Sequence, residues 1–92
     1  MELRGTIMAV LPEACGTSKA GKPWKKREYV IETDERWPHT LLVAEFGDAP
    51  ADRAPIQVGD RVSAQIDIDS REVNGRWYTS VTAHALRVNL LG

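Results

Sequence analysis

The sequence predicts an all-β domain, a small closed or nearly closed barrel of five antiparallel strands. Three observations carry that expectation. Apolar residues recur with a period of two, not three and a half. A segment with Pro50 and Pro55 interrupts the pattern between the third and fourth strand-like runs. The first and last strand-like runs are long. At 92 residues the chain is one domain, 1–92, with enough length for a modest core and too little for a two-layer enzyme with a large cleft.

The first strand is read from Leu3, Gly5, Ile7, Ala9 and Leu11, which alternate with Arg4, Thr6, Met8 and Val10 before Pro12 ends the run. A loop follows, broken by Gly16, Gly21 and Pro23. Alternation resumes at Lys25, with Arg27, Tyr29, Ile31 and Thr33 on one face and Lys26, Glu28, Val30 and Glu32 on the other. Asp34 to Pro38 reads as a turn. Thr40 to Phe46 is mostly apolar, so a third strand buried on both faces is expected, stopped by Gly47. Asp48 to Pro55 leaves room for about one helical turn at most. Val58-Gly59-Asp60 turns the chain into a fourth strand, with Val62, Ala64, Ile66 and Ile68 pointing one way and Ser63, Gln65, Asp67 and Asp69 the other. Asn74-Gly75 between two strand-like runs fits a type I′ hairpin, and Trp77 to Val88 is the fifth strand. A five-stranded barrel with its interruption between strands three and four fits an OB-fold. An SH3-like barrel is the rival. The long loop one–two and the extended hairpin four–five favour the OB arrangement.

Composition is that of an ordinary globular domain, with net charge −1 and 42% hydrophobic residues. No apolar run approaches a membrane span, and the start does not read as a signal peptide. One cysteine, Cys15, forms no internal disulfide and no zinc framework. A cytoplasmic domain with no cofactor, no metal and no membrane contact is expected. Gly16, Gly21 and Lys22 have the spacing of a phosphate-binding loop. Pro23 stands where Ser or Thr is needed, and a strand follows where a helix is needed, so an NTPase is set aside. Asp67, Asp69 and Glu72 have no histidine near in sequence and read as a solvated face. His39 and His84 stand alone, and Cys15 lacks a base partner. No enzyme is expected.

What remains is "GTSKAGKPWKKRE", with Lys19, Lys22, Lys25, Lys26 and Arg27 around Trp24. Single-strand binders pair a positive groove with rings on which bases stack. A second basic and aromatic set, Arg71, Arg76, Trp77 and Tyr78, surrounds the Asn-Gly hairpin. In an OB-fold the loops one–two and four–five flank one binding face, so the two sets are expected to converge. Cross-strand packing at the hairpin mouth is the alternative role for Trp77 and Tyr78.

The runs GTSKAGKPWKKREYVIET and VGDRVSAQIDIDSREVNGRWYTSV resemble a group of small bacterial proteins described as domain of unknown function 3127. The resemblance extends from Met1 to about Val88. It implies an OB-fold related to single-strand DNA-binding protein. It also implies that Phe46, Trp77 and Tyr78 lie on or near the nucleic-acid face. The expected function is binding of single-stranded nucleic acid, DNA before RNA, with little sequence preference. Lys19, Lys22, Lys25, Lys26 and Arg27 would meet phosphates, with Arg71 and Arg76 opposite, while Trp24, Trp77, Phe46 and Tyr78 would stack bases. Single-strand binders of this class are often dimers or tetramers, so a homo-oligomer is a further expectation. The alternative is an OB-fold protein-interaction or structural module with no nucleic-acid partner. Asp67, Asp69 and Glu72 would repel phosphate and favour that alternative.

Overall fold

A computed structural model describes residues 1–89. Among them are six strands and no helix: β1 (Glu2–Val10), β2 (Ala14–Thr17), β3 (Pro23–Thr33), β4 (Thr40–Phe46), β5 (Arg61–Val73) and β6 (Arg76–Val88). The strand order is β1-β5-β6-β4-β3-β2, and β1 also pairs with β3. The five long strands therefore form a closed ring of ladders, and β2 hangs outside it as a hairpin partner of β3. The arrangement is an OB-fold. Among the described residues no helix is long and apolar enough to cross a membrane.

Four details differ from expectation. The region after Pro12 is not a plain loop, because Ala14–Thr17 pairs with Pro23–Lys26. The seam closing the ring is parallel and only two pairs long, Ala44 opposite Thr82 and Glu45 opposite Ala83. The long link from β4 to β5 and the reversal at Asn74-Gly75 bring β6 back beside β4 in the same direction. Strand β4 is buried on one face only: Val43 and Glu45 point inward, while Leu42 and Phe46 are 50% and 55% exposed. Finally, Ile68 leaves the core row and is exposed, because β5 and β6 run beyond the barrel as a two-stranded arm.

The core gathers the inward rows: Leu3 and Ile7 from β1, Tyr29 and Ile31 from β3, Val43 from β4, Val62, Ala64 and Ile66 from β5, and Ala83 and Leu86 from β6. Each fully buried aliphatic chain of this size contributes about 1.5–3 kcal/mol. The arm turns at Asn74 and Gly75, with φ of 52° and 81°. Two consecutive positive φ values are what a type I′ turn requires, and Asn-Gly tolerates them.

The segment between β4 and β5 seals one end of the barrel without a helix. Ile56 from this segment joins the core, and Arg53 reaches in to Glu45. Glu45 sits on the inward face of β4, where an unpaired carboxylate would be costly. Arg53 Nη2 and Nη1 donate to its two oxygens at 2.7 and 2.8 Å, and Nη1 also donates to the Leu86 carbonyl at 2.9 Å. Arg27 Nη2 adds a contact at 3.1 Å. Burial pushes the Glu45 carboxyl up, but the hydrogen bonds and charges of Arg53 and Arg27 outweigh it and hold the group below its ordinary value. The same pairing raises Arg53.

Candidate nucleic-acid interface

The cation-rich stretch folds as the β2–β3 hairpin. Its tip is closed locally: the Ser18 N–H donates to the Lys22 carbonyl at 2.8 Å, and the Gly21 N–H to the Ser18 carbonyl at 2.9 Å. Lys19 and Lys22 stand exposed on this tip. A strand and not a helix follows Lys22, so the Gly16–Lys22 spacing has none of the geometry of a phosphate-binding loop.

From Pro23 onward, strand alternation divides the charge. Trp24, Lys26 and Glu28 share the outer face of β3. Lys25 and Arg27 share the other. Lys25 Nζ lies 3.0 Å from Asp48 Oδ1. That hydrogen bond, with the charge of Asp48, raises the Lys25 pKa. Arg27 is nearly enclosed, held by Glu45, by Glu13 at 3.7 Å and by the Gly47 carbonyl. Trp24 lies opposite Gly16, and a Cβ at Gly16 would meet the indole at 2.7 Å. Gly16 is the seat that lets the ring lie close to the hairpin backbone, with 39% of the residue still exposed.

The outer face of β3 continues across β4, where Phe46 pairs with Lys26 and Leu42 with Val30. Beyond the short parallel seam it continues onto β6 and β5. There a groove of about 610 Å³ opens, with Lys26, Phe46 and Leu42 on one side and Arg71, Asp69 and Ser80 on the other. Opposite residues of an antiparallel pair share a face. Tyr78, opposite Arg71, and Arg76, opposite Val73, are therefore on the groove side of the arm. Trp77 is opposite Glu72 and on the back, in the row of Ile68. A cavity of similar size, 660 Å³, lies at the sealed end beside Arg53 and Leu86. It touches neither hairpin tip.

The structure thus brings Lys26, Phe46 and Arg71 into one groove and puts Trp24, Tyr78 and Arg76 on the same face. Lys19 and Lys22 are at the edge of that face. Lys25, Arg27 and Trp77 are turned away. Two carboxylates, Glu28 and Asp69, lie in the groove, and Glu28 is 3.7 Å from Lys26. Glu72 is separated from Asp67 and Asp69 by the arm's alternation. His84, solitary in sequence, has its Nε2 3.5 Å from Asp67 Oδ2. Leu42 and Trp37 escaped sequence reasoning. The apolar pattern of Thr40 to Phe46 hides Leu42 in a strand expected to be buried on both faces, and Trp37 sits in a turn with no basic cluster beside it.

A family model described as domain of unknown function (DUF3127) matches residues 2–89. No curated protein matches the sequence. Among solved structures, the chain is similar to the second OB-fold domain of replication protein A from Methanococcus maripaludis. The TM-score is 0.70 at 10% identity, over 95% of this chain and 80% of that one. It is also similar to small single-stranded DNA-binding protein from Streptomyces coelicolor, with a TM-score of 0.49 at 16% identity, over 99% of this chain and 94% of that one. The likeness to the replication protein A domain, at 10% identity, shows the fold alone.

Proposed function

This chain belongs to the DUF3127 family, and from its groove we propose that it binds single-stranded DNA with little sequence preference, as a cytoplasmic binding module and not an enzyme. One observation carries the reading: two hairpins distant in sequence bring Lys26 and Arg71 into a single groove with Phe46 of the intervening strand β4. OB-folds bind oligonucleotides on this sheet face, between the loops that correspond here to the β2–β3 and β5–β6 hairpins. Bases stack on Phe46, Tyr78 and Trp24, whose faces accept any base. Phosphates meet Lys26 and Arg71 in the groove, Arg76 on the arm and Lys19 and Lys22 at the hairpin tip. Releasing counterions from the strand then drives association. Glu28 and Asp69 oppose phosphate and keep affinity modest.

Titration with oligothymidylate at low salt, followed by tryptophan fluorescence, tests the proposal. Saturable quenching that weakens as salt rises is expected. No binding at low salt overturns it and leaves a protein-interaction module. Tighter binding to the matching RNA oligomer would change the named ligand but not the site, since stacking and phosphate contacts serve both.

A further inference from the structure

Trp37 is 73% exposed, against 69% for Trp77 and 39% for Trp24. It has no part in the core and none in the groove described above. The Arg36 guanidinium lies over its ring, 5.5 Å from the centroid. A cation covers one face of the indole, and the exposure leaves the rest open to solvent.

The turn that carries this pair is braced. The Thr33 N–H donates to the His39 carbonyl at 2.8 Å, and the His39 N–H donates back to Thr33 Oγ1 at 2.8 Å. Thr33 Oγ1 donates to Glu35 Oε2 at 2.9 Å, and Arg61 Nη2 holds Asp34 at 2.9 Å. An exposed ring on a braced turn is a preformed platform, because little ordering remains to be done when a ligand arrives.

Its place in the fold connects it to the groove. Strands β4 and β6 pair only at Ala44–Thr82 and Glu45–Ala83. Because they are parallel, stepping back from those pairs carries both towards the same end of the molecule. Strand β4 leads back through Thr40 to Arg36-Trp37. Strand β6 leads back through Thr79 to Arg76-Trp77. The groove opens between these two diverging edges, with Thr40 on one flank and Thr79 on the other. The same dipeptide, Arg-Trp, therefore stands beyond each flank of its open end.

We infer that Arg36 and Trp37 form a further binding platform for single-stranded nucleic acid, Trp37 stacking a base and Arg36 meeting the adjacent phosphate. The inference rests on the function proposed above and extends its path. From Phe46 back to Thr40 is about 20 Å at 3.3 Å per residue, and Trp37 is farther still. A ligand that covers only the groove misses it, and a longer one reaches it.

The experiment compares oligothymidylates of about four and about twelve nucleotides, within the site sizes of this fold. Trp37→Ala should weaken the longer ligand about tenfold, the usual worth of one stacked base, and the shorter one by less than about twofold. Trp37→Phe should restore most of the loss. Arg36→Gln should flatten the salt dependence for the longer ligand by about 0.7. Thermal unfolding of each variant should match the parent, since the ring contributes nothing to the core. If the parent binds both lengths and Trp37→Ala binds them as tightly as the parent, the inference fails alone. Equal losses for both lengths also overturn it. If the parent binds neither, the underlying function fails and takes this inference with it.

Discussion

Successive residues of β3 meet two different worlds. Lys25 and Arg27 turn towards the sealed end and its carboxylates, Asp48 and Glu45. Trp24 and Lys26 turn onto the face of the open groove, which Lys26 lines beside Phe46. In sequence the four are one basic, aromatic run. In space they belong to a structural ion-pair network and to a candidate binding face. The difference shows that charge density along a strand is not charge density on a surface. The pleat sends alternate side chains to opposite faces, and only one of those faces meets a ligand.

The largest effect should come from breaking the sealed side. The side chains of Glu45 and Arg53 are each 10% exposed. Removing one partner leaves the other charge buried and unmatched. Glu45→Ala should therefore cost about 3 kcal/mol in urea unfolding, the lower end for a pair that keeps some solvent. Oligonucleotide affinity per folded molecule should be unchanged. The pH dependence has a definite sign. The Glu45 carboxyl is held below its ordinary value of 4.5. The stability it lends is complete above that value and is lost as pH falls through the lower folded one. Glu45→Gln should flatten this acid limb. An equally steep limb would remove Glu45 from its cause.

The second effect tests the arm by the same alternation. Tyr78→Ala should weaken binding by about 1–2 kcal/mol, and Trp77→Ala by less than about 0.5 kcal/mol. The sequence does not separate the two: both stand beside the hairpin as stacking candidates. If Trp77→Ala is the more costly, the arm bends so that its back face meets the ligand.

This separation marks where the sequence stops being legible. Period-two runs gave the inward rows of β1, β3 and β5, and Asn74-Gly75 gave the turn, because both signals are local. Strand β2 left no such signal: Ala-Cys-Gly-Thr is short and small, and it is a strand only through its pairing with Pro23–Lys26. Strand β4 misled because Leu42 and Phe46 are apolar yet outward. The engagement of Arg27 and Arg53 with Glu45 joins residues 18 and 8 positions apart. No local period encodes such a pairing. The convergence of Lys26, Phe46 and Arg71 was legible only through the fold, since barrel closure and not spacing brings β3, β4 and β5 together.

A smaller effect separates two adjacent lysines. Lys26→Gln should flatten the slope of log affinity against log salt by about 0.7, one phosphate contact on a single strand. Lys25→Gln should leave it nearly unchanged. Pairing strength does not distinguish them, because ion pairs that keep contact with solvent, as the exposed Lys25–Asp48 and the half-buried Lys26–Glu28 both do, are weak and a phosphate can displace either. Direction does. Equal slopes for the two variants would mean that the hairpin twists on binding and brings both faces to the strand.

The smallest effect reverses the sign. Asp69 lies in the groove, opposite Ser80, where a bound phosphate would feel its charge. Two unit charges about 4 Å apart in water interact by about 1 kcal/mol, and by less at greater distance. Asp69→Asn should therefore tighten binding about two- to threefold at low salt, a gain that fades as ionic strength shortens the screening length. Glu72→Gln, three positions along the same strand but on the back of the arm, should change affinity very little. A general rise in affinity on removing any carboxylate would point to net charge as the cause. A gain confined to Asp69 would place the phosphate path along the groove, on the face that β3 shares through Lys26 and not through Lys25.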